Sequence, residues 1–144
     1  MKAEIEKDAQ LSQQVTVESA GIAAQIGDRA SENAIEAVAQ EWGIDISSHN
    51  ARPLDKEMVF RSDLILTMTR RQKEVVASLF PDSKSRVFTL KEYISENETD
   101  KSIEEYNFAL DIIDPYGGTL PAYRQCARDI KQAVDKLVSK LKKL

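Results

Sequence analysis

The run Asp63-Leu64-Ile65-Leu66-Thr67-Met68 constrains this chain more than any other stretch. Its apolar residues follow one another without alternation. A strand with one wet face alternates apolar and polar side chains, whereas a strand covered on both faces reads as a continuous apolar run. Both-face burial requires helices above and below a sheet, and that means an α/β domain with parallel strands. The flanking residues agree. Thr69 with Gln72 three positions later forms a capping box. The helix it opens carries Val75, Val76 and Leu79 and stops at Phe80-Pro81, and Arg86-Val87-Phe88-Thr89-Leu90 follows as a second strand.

The remaining segments fit around that unit. Ala3 to Gln14 reads as a polar helical segment with Ile5, Ala9 and Leu11 to bury, and β-branched Val15-Thr16-Val17-Glu18-Ser19 is predicted to be a strand closed by Ala20-Gly21. Ser31 is the N-cap of a helix from Glu32 to Trp42, and Gly43 ends it. Asp55 caps a short helix after Arg52-Pro53-Leu54, and the acidic stretch from Ser95 to Asn107 reads as a surface excursion. From Thr119 to Leu144 apolar residues recur at three and four, among them Tyr123, Cys126, Ile130, Val134 and Leu137, which predicts a helix packed on the core. Lys140, Lys142 and Lys143 stand at its negative end. No repeat or linker interrupts the pattern, so one domain spanning residues 1–144 is expected.

Charge and cysteine count narrow the function. The net charge of −4 argues against nucleic acid and against anionic membranes as partners. No stretch is apolar enough to span a bilayer, and Met1-Lys2-Ala3-Glu4-Ile5-Glu6-Lys7 has no signal-peptide core, so a cytoplasmic location is expected. With one cysteine, Cys126, and one histidine, His49, the chain can build neither an internal disulfide nor a cysteine-rich metal site, and no cofactor is expected.

Chemistry concentrates in Asp111-Ile112-Ile113-Asp114-Pro115-Tyr116-Gly117-Gly118. Pro115 biases Asp114 toward an extended backbone, and the two glycines permit a sharp turn. A carboxylate on a rigid loop beside an aromatic suits a general acid. The alternative is a plain turn feeding the last helix.

Five segments, in order, resemble the low-molecular-weight protein tyrosine phosphatase family. They are Val17-Glu18-Ser19-Ala20-Gly21, Gly43 to His49, Asp63 to Met68, Val87-Phe88-Thr89-Leu90-Lys91-Glu92-Tyr93 and Asp114-Pro115-Tyr116-Gly117-Gly118. The Phe-Thr-Leu-Lys-Glu-Tyr run and the single aromatic before Gly-Gly look most like the bacterial branch, which includes protein-arginine phosphatases. The resemblance implies a three-layer flavodoxin-like α/β fold and metal-free hydrolysis of phosphotyrosine or phosphoarginine in a protein substrate, through a phosphocysteine. It implies Asp114 as general acid, Tyr116 as the aromatic lining the entrance, and Ser19 and His49 as supports of the phosphate loop. In the residues themselves, His49 and Ser19 read as hydrogen-bonded structural groups.

The family's Cys-x5-Arg loop and the strand before it precede its first helix, whereas this chain starts inside that helix. Cys126 is no substitute, because the sixth residue after it is Gln132, and it reads as a packed core thiol. The expectation is a chain truncated at its N-terminus relative to the family, without the central first strand and the nucleophile, inactive as it stands and less stable than a full domain. The alternative is a catalytically dead relative that binds a phosphorylated ligand or a partner. An arsenate reductase on the same fold would need further cysteines.

Overall fold

A computed structural model describes residues 1–95 and 109–144. The expected acidic excursion, apart from Ser95, lies outside the described residues. In chain order the elements are α1 (Lys2–Glu6), α2 (Ala9–Gln14), α3 (Glu32–Trp42), α4 (Lys56–Arg61), β1 (Ile65–Thr67), α5 (Arg70–Leu79), a 3₁₀ helix (Pro81–Arg86), β2 (Val87–Thr89), α6 (Leu90–Ile94) and α7 (Leu120–Leu141). They fall into an α/β unit (Ala20–Asp28 and Ala51–Asp114) and a helical unit (Met1–Ser19, Arg29–Asn50 and Pro115–Leu144).

The α/β unit is built on the strand–helix–strand segment. β1 and β2 run parallel, with Ile65 opposite Val87, Leu66 opposite Phe88 and Thr67 opposite Thr89. The capping box of Thr69 and Gln72 is present and starts α5. Val76 of α5, Met58 and Val59 of α4, Val87 of β2 and Leu90 of α6 are buried. A second capping box begins α6: Glu92 N–H donates to Thr89 Oγ1 at 3.0 Å, and Thr89 N–H donates to Glu92 Oε2 at 3.1 Å. The Thr-x-x-Glu spacing was present in the sequence, but the strand it terminates masked the helix it begins. The Glu92 carboxylate also receives Lys73 Nζ of α5 at 2.8 Å, and the same ammonium lies 5.6 Å from the centre of the Phe88 ring. One acid therefore ties α5, β2 and α6 together.

In the helical unit α7 packs on α3. Ala127, Ala133, Val134 and Leu137 of α7 are buried, as is Ala37 of α3. Glu41 of α3 is gripped from α7 by Arg124 Nε at 2.7 Å and by Arg128 Nε and Nη2, both at 3.0 Å. Ile5 and Leu11 bury the two short N-terminal helices.

Three expectations need correction. Ala3 to Gln14 is two helices, because the Asp8 side chain accepts from Gln10 and Leu11 N–H and starts a second one. Val15 to Ser19 is not a strand among the described residues, although Val15 itself is extended (φ −119°, ψ 118°). β-branched residues favour extended backbone, but a strand also needs a ladder of backbone hydrogen bonds, and no strand or bridge forms over these residues. Cys126 is half-buried, so the inner stripe of α7 runs through its neighbour Ala127 instead.

Thr89→Ala removes the cap of α6 and should lower stability by about 1–2 kcal/mol, read as a shift of the urea midpoint. An unchanged midpoint would mean that the box contributes nothing. Hydrogen bonds from Arg128, then Arg124, hold the Glu41 carboxyl below its usual range. A depressed folded-state pKa gives stability that is present above the unfolded value, about pH 4.3, and is lost as pH falls through the folded value. Thermal melts taken downward from pH 5 should therefore fall less steeply for Glu41→Gln than for the parent chain. Parallel curves would remove Glu41 from the acid response.

Candidate active site

The segment that carries the expected acid is pinned at the carboxyl end of β1. Ile112 N–H donates to the carbonyl of Met68, the residue after the strand end Thr67, at 2.8 Å. One residue earlier, Asp111 Oδ1 accepts the backbone N–H of Arg70, the first residue of α5, at 2.8 Å and Arg70 Nε at 3.4 Å. Lys91 Nζ of α6 holds the Asp111 carbonyl at 3.2 Å. Leu110 and Ile112 are buried, while Ile113 and Asp114 are exposed. The carboxyl ends of parallel strands are where open α/β sheets bind ligands. Asp114 thus sits on an anchored backbone at the end of the α/β unit. Asp111, whose side chain supplies much of that anchor, was not assigned a role from sequence. Its partner Arg70 is 41 positions away, and no local pattern marks the pair.

The next four residues open the last part of the helical unit with a tight turn, in which Gly118 N–H donates to the Pro115 carbonyl at 2.7 Å. Gly117 has φ +74°, and a Cβ on Gly118 would lie 2.8 Å from the Pro115 oxygen. The two glycines are needed for different reasons, one for its backbone angle and the other for close approach. Tyr116 is left at the apex, 85% exposed. Asn33, in the first turn of α3, donates from Nδ2 to the Gly118 carbonyl at 3.2 Å. An open cleft of about 490 Å³ lies here, lined by Ser31 to Asn33, Tyr116 to Gly118, and Tyr123 of α7.

Ser19 and His49 are exposed residues of the helical unit, and neither lines this cleft. His49 N–H closes a turn on Ile46 O at 3.0 Å. In the same loop the Ser47 hydroxyl and then its N–H hold the Asp45 carboxyl below the usual carboxylate range. Of the four expected site residues, only Tyr116 is a cleft residue. No cluster of histidine, cysteine and carboxylate side chains suited to a metal occurs among the described residues.

The sequence profile of the low molecular weight phosphotyrosine protein phosphatase family matches residues 1–144. The chain belongs to that family. It is 32% identical to a protein-arginine-phosphatase of Bacillus subtilis over 90% of this chain and 77% of the relative. It is 37% identical to EpsP of Ralstonia nicotianae, a probable low molecular weight protein-tyrosine-phosphatase, over 90% of this chain and 79% of the relative. Its α/β fold is shared with solved members of the family. The low molecular weight protein tyrosine phosphatase of T. tengcongensis superimposes with a TM-score of 0.77 at 32% identity, over 94% of this chain and 84% of that one. A cysteine-to-serine variant of an arginine phosphatase, with a phosphorylated active-site serine, gives 0.80 at 31% identity, over 99% and 86%.

Within these residues the family's thiolate chemistry has no nucleophile. Cys126 is the only cysteine, half-buried within α7, and Gln132 stands where a Cys-x5-Arg arginine would have to be. Residues 1–144 alone therefore do not hydrolyse phosphate esters by that route.

Asp111→Ala leaves the first N–H of α5 without its carboxylate partner, and should lower the stability of the chain by about 1–3 kcal/mol. Urea unfolding reads this directly, and a loss below about 0.5 kcal/mol would assign the anchoring to the Ile112–Met68 bond alone.

Proposed function

We propose that residues 1–144 form one phosphatase domain's acid-bearing body, acting on phosphotyrosine or phosphoarginine in a protein substrate when a Cys-x5-Arg loop is joined to it. The observation that carries this reading is the anchoring of the Asp114 segment at the carboxyl end of β1. The thiolate of the joined loop attacks phosphorus and the leaving group departs, protonated by the Asp114 carboxyl. The resulting carboxylate then takes a proton from the water that hydrolyses the phosphocysteine. Tyr116, exposed at the apex of its turn, stacks on the substrate at the entrance. Ser19 and His49 support the loop by hydrogen bonds. Relatives named for each substrate class match comparably well, which supports keeping both. A thiolate mechanism suits a reducing compartment, which supports a cytoplasmic setting.

The second reading is a nucleophile-less relative that binds a phosphorylated ligand or a partner without turnover, and the position of Cys126 in mid-helix favours it.

The intact mass of the endogenous protein separates the two. A mass above the 16.2 kDa of this chain, by what a strand and a phosphate loop add, would support the phosphatase reading. In that protein Asp114→Asn should lower kcat by about 10²–10⁴-fold. A mass equal to the chain's, with no phosphate released from either substrate, would leave the binding module.

A further inference from the structure

The cleft beside Tyr116 brings one carboxylate and two aromatic side chains to a single open space. Its lining contains one ionisable acid, Glu32, and no lysine, arginine or histidine. Glu4 and Glu41 of the same unit are paired with lysine or arginine. The Glu32 carboxylate has no hydrogen bond or ion pair among the described residues. Two tyrosines line the same cleft, Tyr116 at the apex of the turn and half-buried Tyr123 on α7. Asn33 ties that turn to the first turn of α3 through the Gly118 carbonyl. The aromatic residues and the acid are thereby held around one open space.

An unpaired carboxylate beside aromatic faces is the donor set that recognises an ammonium or guanidinium group, by charge and by cation–π attraction. We propose that this cleft is a subsite for a lysine or arginine side chain of the substrate polypeptide. Glu32 is the specificity residue, and the two tyrosines form the walls that take the alkyl stem and the cationic head. The assignment to a substrate rests on the phosphatase reading, in which Tyr116 stands at the entrance. The chain's net charge of −4 favours the approach of basic peptides. Asn33 acts as a positioning residue for the turn.

The test needs no phosphate chemistry. The chain is titrated with the unphosphorylated peptide acetyl-Gly-Lys-Gly-Lys-Gly-amide, and with its glutamate counterpart, while backbone amide resonances are followed by NMR. Saturable shifts at Asn33, Gly117 and Gly118 with the lysine peptide only are expected, weakening as salt is raised. Glu32→Gln should weaken that binding by about fivefold or more. Glu36→Gln, one turn along α3 and outside the cleft, should not change it. Absence of shifts, shifts centred elsewhere, or equal binding by Glu32→Gln overturns the subsite. Basic-peptide binding here combined with a loop-bearing protein that releases no phosphate would overturn the substrate assignment and the phosphatase reading together. Failure to bind in a protein that does release phosphate overturns this inference alone.

Discussion

Two hydrogen bonds at the carboxyl end of β1 organise the α/β unit around its candidate chemistry. Ile112 N–H meets the Met68 carbonyl, and the Asp111 carboxylate takes the first N–H of α5. Neither bond belongs to a regular element. Together they fix the loop beyond the end of β1, with Leu110 and Ile112 buried and Ile113 and Asp114 left exposed. A helix start has unsatisfied N–H donors and attracts negative charge, so the same carboxylate satisfies α5 and fixes the chain leading to Asp114. Lys91 on the Asp111 carbonyl brings α6 into the arrangement.

The helical unit reaches comparable order by a different device. Here one carboxylate, Glu41, is shared by two arginines a turn apart on α7, while small residues such as Ala37, Ala127 and Ala133 allow α3 and α7 to approach closely. The glycine turn that precedes α7 is set by sterics. Gly117 needs its positive φ and Gly118 needs the space that a Cβ would occupy. Asn33 then joins the turn to α3, and the cleft is the space these pieces leave.

Family membership and catalytic capacity separate in this chain. The fold and the ordered motifs are those of the low molecular weight phosphotyrosine protein phosphatases, whereas the nucleophile of that chemistry is not among residues 1–144. What these residues do supply is a carboxylate, Asp114, on an anchored segment, an exposed aromatic, Tyr116, and a cleft lined by one acid and two tyrosines. A general acid works only beside a group that attacks phosphorus, so the roles proposed for Asp114 and Tyr116 depend on a joined nucleophile loop.

Elements governed by neighbours in the chain were legible in the sequence. The caps Ser31, Asp55 and Thr69, the stop at Gly43 and the parallel strands around Ile65 and Val87 all stand where the local pattern puts them. Hydrophobic period and capping act within a few residues, so one segment contains all the information they need. The turn that leaves Asp114 and Tyr116 exposed was also legible, in Pro115, Gly117 and Gly118. What only the tertiary structure decided depends on partners distant in the chain. Val15 to Ser19 has strand composition without a strand's ladder. Asp111 finds Arg70, Arg124 and Arg128 find Glu41, and Asn33 finds Gly118 across spans of 41, 83, 87 and 85 residues. Sequence specifies those side chains, but only the folded chain brings each donor to its acceptor.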